Sequence, residues 1–115
     1  QRQMCIRDSP EDRLGCLQDI HWSMGAFGYF PTYTLGNLYA AQLLEAMSAE
    51  LGDVDDLIGA GDWQPMLDWL RPRIHARGSL VSPAQIIEDA TGSPPSPEPF
   101  LRYVERKYGA LYGLD

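Results

Sequence analysis

Between Gly15 and Asn37 the chain reads GCLQDIHWSMGAFGYFPTYTLGN, a span holding one His, one Trp, two Phe, two Tyr and four Gly. It is the only part of the sequence whose residue types point to chemistry rather than to packing. His21 is the first candidate, with Gln18, Asp19 and Trp22 beside it. A His at a helix end next to a Trp also reads as a cap or a packed residue. Tyr29 and Tyr33 are the second candidates, and they read equally as core aromatics with satisfied hydroxyls. Asp19 and His21 are two residues apart, which does not suit two ligands on one helix face. The other His, His75, sits in an Arg-rich segment and reads as surface.

Other chemistries find less support. Ser23 lies near His21, but G-x-S-x-G is absent. Cys16 falls on the apolar side of a short helical pattern and reads as a buried, inert thiol. Gly25 and Gly28 lack the residues of a phosphate cradle. Asp53-Val54-Asp55-Asp56 lacks the central Gly and twelfth-position Glu of a calcium loop, so it reads as a capped helix start. No H-E-x-x-H occurs.

The elements that must position these residues are helical. The span 10–22 is expected to be a short helix, with Ser9 as cap and Pro10 at the first position. Gly25, Gly28 and Pro31 then break the chain into a loop whose aromatics, Phe27 among them, are expected to press on the core or a ligand. Thr32–Leu51 carries a wide apolar stripe of Leu35, Leu38, Tyr39, Ala40, Leu43, Ala46, Met47 and Leu51. Asp53 is expected to cap a short helix ended by Gly59 and Gly61. Asp62 is expected to cap another, with the stripe Trp63, Met66, Leu67, Leu70 and Ile74. Pro72 should kink or shorten that helix, and Gly78 should end it at the latest. Ser82-Pro83-Ala84-Gln85 has the residues of a capping box, ahead of Ile86, Ile87 and Ala90. Ser96 and Pro97 open a last helix with the stripe Phe100, Tyr103, Val104, Tyr108 and Leu111. The class is all-α, with five or six helices joined by short Gly/Pro turns.

Composition narrows the partners. The chain has 115 residues, 16 acidic against 9 basic, for a net charge of −7. That balance argues against nucleic acid and against anionic membranes. No run approaches the roughly 18 apolar residues of a membrane span. Cys5 and Cys16 are too few for a disulfide framework, and free thiols in a reducing cytoplasm are the expectation. Residues 1–9, QRQMCIRDS, match nothing that follows in pattern and are expected to be a non-native or disordered tail.

The sequence resembles the carboxypeptidase Taq family of zinc metallocarboxypeptidases. That family carries G-x-x-Q-D-x-H-W, present here as Gly15-Cys16-Leu17-Gln18-Asp19-Ile20-His21-Trp22. The likeness continues through Gly28-Tyr29-Phe30-Pro31-Thr32-Tyr33-Thr34-Leu35-Gly36-Asn37, Ser96-Pro97-Glu98-Pro99-Phe100 and Lys107-Tyr108-Gly109-Ala110-Leu111-Tyr112. The resemblance implies that residues 10–115 are a C-terminal helical segment of the catalytic domain. The parent enzyme would hydrolyse C-terminal peptide bonds with broad specificity. Its zinc would be held by an H-E-x-x-H and a further Glu outside these residues. By the same resemblance His21 and Tyr29 or Tyr33 are oxyanion donors, Gln18 and Asp19 orient the imidazole, and Trp22 and Phe27 wall the substrate. The resemblance suggests a homodimer, a peptide substrate, and the remainder of the parent as partner. The chain alone is expected to be inactive, because the metal ligands are missing. The alternative from another class is a non-catalytic all-α interaction module.

Overall fold

The computed structural model of the chain describes residues 11–14, 18–21 and 23–114. The chain divides into two compact units, Gln1–Thr32 and Tyr33–Asp115. The described residues are helical or in turns, with no strand among them. None of the described helices is long and apolar enough to cross a membrane.

The first unit differs from the expected helix over 10–22. A 3-10 turn spans Asp12–Leu14, Gln18 is also in 3-10 conformation, and Asp19 and Ile20 lie outside any helix. The reason is local polar competition. The Gln18 side-chain amide donates to the Arg13 carbonyl, and the Asp19 carboxylate accepts from the backbone N–H of His21. Short polar side chains that bond nearby backbone offer the chain an alternative to the helical ladder. Gly15, Cys16, Leu17 and Trp22 lie outside the described residues, as does the tail at 1–9.

The second unit holds most of the helices. Helix α1 spans Pro31–Leu51, α2 Val54–Ala60, α3 Gln64–Leu70, α4 Pro83–Thr91 and α5 Glu98–Tyr112. Asp53 caps α2 by accepting from the Asp55 N–H. Gly61 ends α2 in the left-handed region, with φ of 72°. The Gly61 N–H donates to Ile58 and the Asp62 N–H to Leu57, which is a Schellman closure. Asp62 is thereby engaged in ending α2. It does not cap α3, which starts after Trp63 with no side-chain cap.

Pro72 has the expected consequence. It has no N–H for the Asp68 carbonyl, and α3 passes into a π-helical turn over Arg71–His75. The Ala76 N–H reaches five residues back to Arg71 at 2.8 Å. The expected stripe is kept in part, with Met66, Leu70 and Ile74 packed against the core. The stripe expected through Trp63 and Leu67 leaves both exposed, at 51% and 37%, while Trp69 is buried at 3%. Trp69, three residues after Met66 and next to Leu70, completes that face.

The core is small. Met47, Val54, Trp69 and Ala90 are buried together, with Leu43, Leu44, Ala46, Leu51, Met66, Leu70 and Ile74 partly buried around them. Gln42 is the buried polar residue of this unit. Its amide nitrogen donates to Thr91 Oγ1, the Ser93 carbonyl and the Pro94 carbonyl, each at 3.1 Å. Its carbonyl oxygen accepts from the Ser96 N–H at 3.0 Å. One side chain thus joins α1 to the whole α4–α5 connection. Arg102 on α5 forks onto the Glu45 carboxylate of α1 through two nitrogens, at 3.1 and 2.8 Å. Ser82 caps α4 by accepting from the Gln85 N–H, but the Gln85 side chain bonds Asp89 rather than returning to Ser82. The capping box is therefore half made.

Candidate active site

The polypeptide around His21 is shaped by turns. The Ala26 N–H donates to the His21 carbonyl at 2.8 Å, and the Met24 N–H to Ile20 at 3.1 Å. Gly25 and Gly28 both have positive φ, 76° and 70°, a region that side chains disfavour. These two reversals return the chain toward His21. The Tyr29 carbonyl then accepts twice from Thr32, from its N–H at 3.0 Å and its hydroxyl at 2.6 Å. Pro31 opens α1 and holds Phe30 away from helical geometry.

His21 is the point on which this loop converges. Asp19 Oδ1 accepts from the His21 backbone N–H and contacts Nδ1, both at 2.8 Å. The two bonds hold the Asp19 carboxyl below its ordinary range, the backbone bond contributing most, then the imidazole bond. An ionised carboxylate only accepts, so Nδ1 carries the proton and Nε2 is the open edge of the ring. The Tyr29 ring stacks on the imidazole, with centroids 5.5 Å apart and planes at 28°. The Phe30 ring is nearer, at 4.7 Å and tilted by 49°.

The other sequence candidates fall elsewhere. Gln18 is exposed, with its side-chain amide on Arg13 rather than on the imidazole. Phe27 is 72% exposed. Tyr33 stands in the first turn of α1 and belongs to the second unit. Trp22 lies outside the described residues. Phe30 was not among the candidates, because an apolar ring before a proline carries no chemical signal of its own. Its neighbours Tyr29 and Pro31 were the available clue. Among the described residues no group of three His, Cys, Asp or Glu is placed to hold a metal ion.

The fold and this loop fall within a known class of helical metallopeptidases. A family model described as carboxypeptidase Taq (M32) metallopeptidase matches residues 3–108, a span that reaches into the stretch read as a tail. The chain belongs to this family. Thermostable carboxypeptidase 1 of Thermus thermophilus is 55% identical over 106 residues, covering 91% of this chain and 21% of that protein. Carboxypeptidase 1 of Bacillus subtilis is 43% identical over 103 residues, covering 90% and 21%. Among solved structures, metallocarboxypeptidase 1 of Trypanosoma cruzi superposes with a TM-score of 0.76 at 45% identity, covering 85% of this chain and 20% of that one. The M32 carboxypeptidase of Deinococcus radiodurans gives 0.79 at 37% identity, covering 91% and 21%. The chain therefore spans about a fifth of the length of the relatives it matches.

Proposed function

We propose that this chain is a segment of a zinc metallocarboxypeptidase, and that it supplies the wall of the active site that stabilises the oxyanion. The observation that carries the reading is the Asp19–His21 pair, in which one carboxylate oxygen meets both the backbone N–H and Nδ1 of the same His. That arrangement fixes the tautomer and aims Nε2 outward, as a site group requires and a plain packing residue does not. With Nδ1–H committed to Asp19, Nε2 donates a hydrogen bond only when the ring is an imidazolium. Asp19 is then its counter-charge. The hydroxyl of Tyr29 or Tyr33 donates whatever the state of the ring. Gln18 supports the loop from outside, and Trp22 and Phe27 line the path of a peptide substrate with a free C-terminus and no strong side-chain preference.

In this reading the zinc ligands belong to the part of the parent outside this chain. The chain alone is then inactive. Its exposed apolar residues, Leu80 at 87%, Tyr112 at 68% and Leu111 at 67%, are what such a segment presents to the remainder of its parent. A second copy of the parent is a further partner of this reading.

Kinetics of a longer chain that carries both this segment and the metal site provide the test. His21→Ala is expected to lower kcat about tenfold or more with little change in KM, the signature of a lost oxyanion donor. An unchanged kcat together with a lowered melting temperature would make the loop a packing element and sink the reading. The chain on its own, supplied with zinc and a blocked dipeptide, is expected to release no C-terminal residue.

A further inference from the structure

We propose that Phe30 is a positioning residue for His21, the ring that keeps Nε2 aimed in one direction. The proposal rests on the reading of His21 as an active-site residue and adds to it the group that holds the imidazole plane.

The argument begins with what a hydrogen bond at Nδ1 leaves free. The Asp19 bond selects which edge of the imidazole faces the carboxylate. It does not stop the ring from rocking about the line between Nδ1 and Oδ1. A rocking ring swings Nε2 through an arc, and a donor must lie within a fraction of an ångström of its productive place. Contact on the flat of the ring is what suppresses that motion.

Two aromatic rings provide such contact, at different angles. Tyr29 lies nearly parallel at 5.5 Å, and Phe30 is tilted by 49° at 4.7 Å. Both separations fall within the attractive range for aromatic pairs. A single stacked neighbour still allows sliding in its own plane. A second, tilted neighbour blocks that slide. Phe30 is also the better anchored of the two in the chain. It precedes Pro31, which restricts its backbone to extended geometry, and Pro31 opens a helix of 21 residues. The two rings then divide the labour. Tyr29 carries a hydroxyl that a reacting group can use, whereas Phe30 has only shape to give.

The full 115-residue chain contains two His, so His75 serves as an internal reference. His75 is exposed, at the end of the π-helical turn. In an NMR spectrum of the labelled chain, the ring protons of His21 are expected to be displaced from those of His75 by ring currents. The Nδ1–H tautomer of its neutral form is expected in the ring-nitrogen shifts. Phe30→Leu should remove about half of that proton displacement or more while leaving the tautomer, which Asp19 sets. Phe30→Tyr should restore it. Unaltered His21 ring protons in Phe30→Leu would overturn the proposal. So would loss of both signatures in Phe30→Leu without repair in Phe30→Tyr, because Phe30 would then be packing the loop. A separate arm keeps the two readings apart. In a longer chain with the metal site, Phe30→Leu is expected to lower kcat about tenfold at constant KM. A normal kcat alongside the altered spectrum would count against the role of His21, not against that of Phe30 as its positioner.

Discussion

Between described residues, the hydrogen bonds around His21 span five residues or fewer, whereas the helical unit is tied by bonds across 49 to 57 residues. Short-range bonds close small loops, which costs little chain entropy. They form early and need no distant partner. Long-range bonds such as Gln42 to Ser96 and Arg102 to Glu45 hold only when the core brings α1, α4 and α5 together. The loop and the helical unit should therefore respond differently to the same injury, and the difference separates positioning of the imidazole from packing of the fold.

The largest effect should come from Trp69→Ala. Trp69 is buried at 3% and central to a core with few fully covered members. Deleting a buried Trp costs about 3–5 kcal/mol, comparable to the whole stability of a small domain. Helix content measured by circular dichroism should fall sharply, and the urea midpoint with it. The Asp19–His21 tautomer signature should persist. Its disappearance along with the helices would break the contrast and make the loop dependent on the core.

Gln42→Leu comes next. The leucine fills a similar volume but strands the Ser96 N–H and the Pro94 carbonyl that Gln42 now satisfies, while the Ser93 carbonyl keeps its bond from Thr91. Leaving such groups unmet costs about 1–3 kcal/mol. A urea titration should show the loss, and Gln42→Leu as stable as wild type would mean that water replaces the amide. Ser82→Ala should be milder, about 0.5–1 kcal/mol, since its capping bond to Gln85 is long at 3.3 Å. That loss should appear as fraying of α4 alone.

How far the sequence foretold these features follows the same division. Caps and stops were legible in part: Asp53, Ser82, Gly61 and the break at Pro72 stand as expected, whereas Asp62, expected to cap α3, gives its backbone N–H to the closure of α2. The motif around His21 was legible because its residue types are chemically loaded. The loop itself was not. A helical period was read through residues 10–22, while Gln18 and Asp19 spend their side chains on nearby backbone and so compete with a helix. Gln42 was invisible because a polar residue inside an amphipathic stripe reads as surface. Only the chain 50 residues later reveals its partners. Trp69 was missed because the stripe was counted through Trp63 and Leu67, whereas Met66, Trp69 and Leu70 form the i, i+3, i+4 set that packs on the core. Phe30 needed the two glycine reversals to bring it to the imidazole, and reversals are visible in sequence only as places where the chain turns, not where it arrives.

Acid provides the smallest and most discriminating test. Three carboxylates are held below their ordinary values: Glu45 chiefly by its bond to Arg102, Asp89 by Gln85 and then Arg77, and Asp19 by His21. A depressed carboxylate means that the unfolded chain binds more protons than the folded one as pH drops. Stability is thus present above the unfolded value, near 4.5 for Glu45, and is lost as pH falls through the lower folded value. Glu45 and Arg102 are both about half exposed, at 51% and 55%, so solvent screening leaves their pair only a small contribution. Glu45→Gln should remove that part of the acid dependence, and added salt should shrink it in wild type. The urea midpoint of wild type should therefore drop slightly more between neutral pH and about pH 3 than that of Glu45→Gln. Equal drops would mean that the α1–α5 pair contributes nothing, leaving Gln42 as the tie from α1 to the α4–α5 connection. A His21 backbone N–H resonance that shifts over the same acid range, while helix content holds, would place the Asp19 bond on its own titration and sharpen the separation between loop and helical unit.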